Sequence, residues 1–273
     1  MSHAPHPDAG TDEPRAPTSE VWATLTDEQR QRVRATLVPI PRSQMPPVGD
    51  PHINAERIAE SSLGGWFRRR GRRAYIGRGI TVYYPGERRF APDFFVVFDV
   101  PEGERITWVV DHEGRGLDFA LEILFDGDRK KDLERNVEWF ARLGIPEYFV
   151  FDARRVSLHG YRLGDRPGVY TPIIPQGGRW RAPHLGAELG LQNGRLRFYL
   201  DGALLPIADE IEAALEDALN EALLRAEEQA RQTAQAQARA EEEARRAAAV
   251  QARADALESE VEALRAELAR LKG

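Results

Sequence analysis

Past Pro206 the chain carries no glycine until its last residue, and Ala, Glu, Arg, Gln and Leu take over its composition. A stretch this long built from good helix formers has one regular option, a single helix. Apolar and small residues alternate by four and three from Leu215 and Leu219 through Val250, Leu257, Val261, Leu264 and Leu268 to Leu271. That spacing is a coiled-coil seam of about eight heptads. Its middle is thin, because Ala, Gln, Thr and Glu bury little, whereas Leu257 to Leu271 is a strong zipper. At about 1.5 Å per residue such a helix is on the order of 100 Å long, too long to pack wholly on a domain of this size. Residues 206–273 therefore read as a coiled coil that makes the chain a homo-oligomer, with a parallel or antiparallel dimer expected first.

The remainder must supply the globular part. Residues 1–51 divide into a Pro-, Asp-, Ser- and Thr-rich lead, a short helix at about 20–38 opened by Thr26-Asp27, and a linker carrying Pro39, Pro41, Pro46 and Pro47. Residues 52–205 hold the strand signals. With no cysteine, disulfides, thiolate metal sites and thiol nucleophiles are excluded, and a cytoplasmic location is the natural reading. No run reaches the 18 or so apolar residues of a membrane span, so no membrane partner is expected. The net charge of -6 argues at first against a polyanionic partner. From Ala203 to Gly273, however, there are 16 acidic and 9 basic residues, so the preceding part is close to neutral and compatible with nucleic acid.

Within 52–205 a helix from about His52 to Arg70 precedes four strand signals, at 74–84, 90–100, 106–110 and 117–124. A helix from Arg129 to Leu143 follows, stopped by Gly144, and then a strand from Tyr148 to Phe151. A helix between two strands that can run parallel points to a mixed sheet flanked by helices, an α/β (α+β) architecture. Gln192-Asn193-Gly194 marks a hairpin in a β extension covering 168–205.

Two acids stand out. Asp93 follows a proline and opens the apolar run FFVVF, and Glu122 interrupts FALEIL. A carboxylate carried into the interior costs several kcal/mol unless a cation or hydrogen-bond donor meets it. Two strand acids converging offer oxygen ligands suited to Mg²⁺, and the plainer reading is a turn cap at Asp93 and an arginine partner for Glu122. Arg68, Arg69, Arg70, Arg72, Arg73 and Arg78 form the densest positive cluster, read either as a phosphate holder or as a solvated helix end. His112 and Glu113 lie in an acid-and-histidine loop that reads as solvated.

APDFFVVF, then LEIL, then DLERNVEWFARLGIPEYFVFD resemble the bacterial Uma-type family of restriction-endonuclease-like proteins, a branch of the PD-(D/E)XK nuclease superfamily. The resemblance covers about His52 to Leu200. It implies a restriction-endonuclease-like mixed sheet whose strand acids, Asp93 and Glu122, bind Mg²⁺ (Mn²⁺ as substitute) and activate water to cut DNA. It also implies a lysine. The superfamily's position two residues after the glutamate is Leu124, the Uma-type position on the following helix is Asn136, and the family's serine position is Phe125. Lys130 and Lys131 start that helix, but at 100° per residue they are rotated by roughly 120° and 140° from position 136. Glu56 and Glu60 are further candidate ligands on the early helix. Two functions are thus open: an Mg²⁺-dependent endonuclease using Asp93, Glu122 and Lys131 or Lys130, or an inactive nuclease-fold module that binds nucleic acid or protein and assembles through its coiled coil.

Overall fold

A computed structural model of the chain describes residues 14–45, 49–125 and 130–272. The expected lead up to residue 13, Pro46 and Pro47 of the linker and the helix start at Arg129 lie outside them. The chain divides into two units, Met1–Ala208 and Asp209–Gly273.

The first unit begins with α1 (Ser19–Thr24) and α2 (Asp27–Thr36) where one short helix was expected. Thr26 ends the one and caps the other, its side chain accepting from Gln29 N while Gln29 reaches back to the Thr26 N–H. This reciprocal cap satisfies two orphan donors and so favours a break over a continuous helix. Then come α3 (Asp50–Arg69), with Pro51 in its first turn, β1 (Ala74–Gly77), β2 (Thr81–Tyr83), β3 (Phe94–Phe98), β4 (Thr107–Val109), α4 (Val110–Glu113) and β5 (Phe119–Leu124). The second half holds α5 (Asn136–Arg142), β6 (Glu147–Asp152), β7 (Ser157–Leu163), β8 (Tyr170–Pro172), β9 (Arg179–Ala182), β10 (Ala187–Gln192), β11 (Arg195–Leu200) and β12 (Ala203–Leu204).

Six strands make the main sheet in the order β1-β3-β5-β6-β7-β8, with β5 and β6 parallel and the other neighbours antiparallel. The expected strand at 74–84 divides at Gly79, whose φ is 58°; β2 leaves the main sheet and pairs in parallel with β4. The β extension also divides. β8 joins the main sheet, while β12-β11-β10-β9 form a second sheet. Its Asn193-Gly194 turn has φ of 53° and 73°, the backbone a two-residue hairpin needs.

FFVVF reads as unbroken apolar sequence because both its faces are covered. Phe94, Val96 and Phe98 join Phe119, Leu121, Ile123 and Phe149 in a core with Ile58, Leu63 and Phe67 of α3 and Leu196 and Phe198 of the second sheet. Phe95 and Val97 join Ala120, Tyr148 and Val150 in a core with Trp139 and Phe140 of α5. Glycine makes room in the sheet: a Cβ at Gly160 would lie 2.6 Å from the ring of Phe149.

The second unit is a single helix, α6 (Ala208–Lys272).

Candidate active site

Pairing in parallel, β5 and β6 end on the same side of the sheet, with Glu122 opposite Val150. Glu122 lies on the face of β5 shared with Ala120 and Leu124, beneath α5, and is 4% exposed. Antiparallel pairing of β3 brings Asp93, one residue before the strand, against the same stretch: its backbone N–H donates to Glu122 Oε2 at 3.4 Å, and its Oδ2 accepts from Ile123 N at 2.6 Å. Burial pushes Glu122 well above the usual carboxylate range, and the charges of Asp93 and Asp132 push it further. Burial raises Asp93 as well, against the opposing pull of His52 and Lys131. The sequence-predicted pair is therefore brought together.

The lysine is placed by an irregular turn. Residues Lys131–Arg135 form a π turn before α5, and the Asn136 N–H bonds to the Lys131 carbonyl five residues back. A uniform α helix would set Lys131 well off the face of position 136. The π turn instead stacks the two residues one turn apart, which is how such bulges re-aim side chains at functional sites. Lys131 Nζ lies 3.4 Å from Asp132 Oδ1. Burial works against its ammonium, yet the charges of Glu122, Asp132 and Asp93 outweigh this and hold it charged. Lys130 pairs with Glu134 at 3.8 Å, with both side chains largely exposed.

Asn136, 1% exposed, sits where the resemblance places a lysine, and its Nδ2 donates to Asp132 Oδ1 at 3.0 Å and toward Glu122 Oε1 at 3.4 Å. Its Oδ1 is buried without a hydrogen-bond partner among the described residues. Tyr148 Oη donates to the Asp132 carbonyl at 2.9 Å. Burial, with Glu122 and Asp132 nearby, pushes this phenol well above its ordinary value.

Sequence reasoning passed over His52. Its Nδ1 donates to Ile123 O at 2.9 Å, and its Nε2 lies 3.3 Å from Glu56 Oε1 and 3.6 Å from Asp93 Oδ1. Ligand atoms of His52, Glu56 and Asp93 all fall within 4.8 Å of one another. Burial disfavours the imidazolium, but the hydrogen bond to Glu56 and the charges of Asp93 and Glu56 prevail and raise its pKa. The signal was present in the spacing, since residues four apart share one helix face. Glu60 turns away to Arg78 at 3.1 Å. Within the arginine cluster, Arg72 stacks 3.3 Å above the Phe98 ring and bonds the Leu185 carbonyl. Glu113 pairs with Arg105, and His112 meets Trp22.

A family model described as "Putative restriction endonuclease" (Uma2) matches residues 42–197. The chain belongs to that family. Residues 52–200, where the motif resemblance was read, coincide closely with the matched span. Among solved structures, a "putative nuclease belonging to DUF820" from Anabaena variabilis ATCC 29413 is similar at 17% identity. That match covers 52% of this chain and 77% of the other, with a TM-score of 0.41. No curated protein matches the chain. No helix among the described residues is long and apolar enough to cross a membrane.

Proposed function

We propose that this Uma2-family chain is a divalent-cation-dependent endonuclease that hydrolyses DNA, with Mg²⁺ as its ion and Mn²⁺ as a substitute. One observation carries the reading: Asp93 and Glu122 meet in the middle of the main sheet, where the start of β3 lies against β5, in one acidic cluster with Asp132 and its Lys131 partner.

The donor chemistry fits a hard cation. Glu122 accepts from Asp93 N and from Asn136 Nδ2, both at 3.4 Å, with the Asp93 and Asp132 charges nearby. A hard cation would supply the close partner that the charged form of such a buried carboxylate needs. Asp93 and Glu122 are the proposed ligands, and His52 and Glu56 extend the ligand shell from α3. When bound, the ion would polarise the phosphate and lower the pKa of a water. Lys131, 3.4 Å from Asp132 Oδ1 in the acidic cluster, is the proposed group that meets developing charge or the attacking water. Asn136 gives the same cluster a neutral amide donor where the family motif has a cation.

Plasmid cleavage with Mg²⁺ or Mn²⁺ tests this. Wild type should nick or linearise the plasmid, while Asp93→Ala and Lys131→Ala should not. Asn136 favours the second reading, an inactive nuclease-fold module. Retained DNA binding in a mobility-shift assay without any cleavage by wild type in either ion would establish that module in place of the enzyme.

A further inference from the structure

The zipper part of α6 presents its apolar residues outward: Val250, Leu257, Val261, Leu264 and Leu268 are 44–71% exposed. An apolar stripe along a 65-residue helix marks an interaction face. The flanking charges specify what covers it. With Leu257 and Leu264 at d and Val261 and Leu268 at a, the g positions are Arg253, Glu260 and Glu267, and the e positions are Glu258, Arg265 and Lys272. In a parallel, in-register pair each g residue faces the e residue five positions on in the other copy. Those pairs are Arg253 with Glu258, Glu260 with Arg265, and Glu267 with Lys272, all of opposite charge. An antiparallel pair sets g against g, so Glu260 would face Glu260 or Glu267 of the other copy. A β-branched residue at a with leucine at d, as at Val261 and Leu264, also favours two parallel strands.

We propose that α6 pairs with α6 of a second copy as a parallel, in-register, two-stranded coiled coil zipped over residues 253–272. Both copies then leave the coil at the same end, where each continues into its globular unit, so two copies of the Asp93–Glu122 site are tethered to one assembly. The pairing does not depend on whether that site cuts DNA.

The test uses the full chain, whose lack of native cysteine allows single nitroxide labels at outward f positions. Ser259→Cys and Arg245→Cys should give the same short inter-label distance by pulsed dipolar spectroscopy. An antiparallel pair centred on the zipper keeps the first short but sets the second about 50 Å apart, at about 1.5 Å per residue, which overturns the orientation. No dipolar signal at either position overturns the pairing. Glu260→Arg should lose the signal at concentrations where the parent pairs, and mixing it with Arg265→Glu should restore it. A Glu260→Arg variant that pairs as well as the parent overturns the charge code.

Discussion

The parallel strands β5 and β6 carry buried acids at both ends, and the sharp contrast is between Asp118 and Glu147 on one side and Glu122 with Asp93 on the other. Asp152, at the end of β6, is held by the Arg155 N–H at 2.8 Å and its guanidinium at 3.1 Å. At the end where the strands start, Asp118 accepts from Phe98 N at 2.7 Å and meets His184 Nε2 at 2.8 Å and Arg115 at 3.5 Å. Glu147, beside it, accepts from His184 N and Leu185 N at 2.8 and 3.0 Å. At the end where the strands finish, Glu122 and Asp93 face each other and Asp132. Burial depth does not separate the two groups, since Glu147 is 1% and Glu122 4% exposed. The identity of the neighbours does. An acid with close donors on its oxygens ties elements together, whereas an acid crowded by other acids is one whose charge a cation would relieve.

Exchanging an acid for its neutral counterpart should therefore act differently at the two ends. The largest effect expected is on cleavage: Asp93→Ala or Glu122→Ala should lower the Mg²⁺-dependent rate at least about a hundredfold, since each 1.36 kcal/mol of lost transition-state stabilisation is tenfold. Asp118→Ala, measured in the same plasmid assay, should leave that rate nearly unchanged. If Asp118→Ala abolishes cleavage in folded protein, the two ends are not functionally distinct.

Next in size is a transfer of the lysine. Lys131→Ala should remove most cleavage and Lys130→Ala little. Adding Asn136→Lys to Lys131→Ala should recover activity to within about tenfold, because the π turn puts both positions on one face. Failure of that rescue in a folded double variant would mean that the two positions do not reach the same point.

Stability should separate the ends with opposite signs. Asp118→Ala leaves a buried N–H unpaired and should cost about 1–3 kcal/mol, read as a fall in Tm of about 2–4 °C per kcal/mol for a unit of this size. Glu122→Gln removes a carboxylate from a crowded acidic site and should leave Tm unchanged or raise it. A Tm loss in Glu122→Gln as large as in Asp118→Ala would erase the distinction.

The smallest effect is in pH dependence. Asp93 and Glu122 are held above their ordinary values, so their contribution to stability is full below unfolded pKa values of about 3.9 and 4.3. It is lost as pH rises through the folded values. Metal-free protein should thus lose Tm as pH rises above about 4, and Glu122→Gln should lose less. Glu147, raised by burial against its two backbone donors, gives a residual slope of the same sign. Mg²⁺ should recover only the part due to Asp93 and Glu122, and equal recovery in Glu122→Gln would place the ion elsewhere.

Pattern made much of this legible. The runs FFVVF and FALEIL, the helix between β5 and β6, the Asn193-Gly194 hairpin and the conjunction of Asp93 with Glu122 all follow from local periodicity and from the cost of burying charge. Asp118 and Glu147 did not stand out, because each sits at the edge of an apolar run and its donors come from Phe98, His184 and Leu185, distant in the chain. His52 belongs with Asp93 only once α3 crosses the sheet.

From the amino-acid order alone came the helix beyond Pro206, the two strand acids and the absence of a lysine at position 136, since each depends on residue type and spacing within a short stretch. Which buried acid is satisfied and which is not, and which lysine faces the acids, was decided by tertiary structure. Donor supply is a property of three-dimensional neighbours, and one extra residue in the turn before α5 is enough to rotate Lys131 onto the face of Asn136.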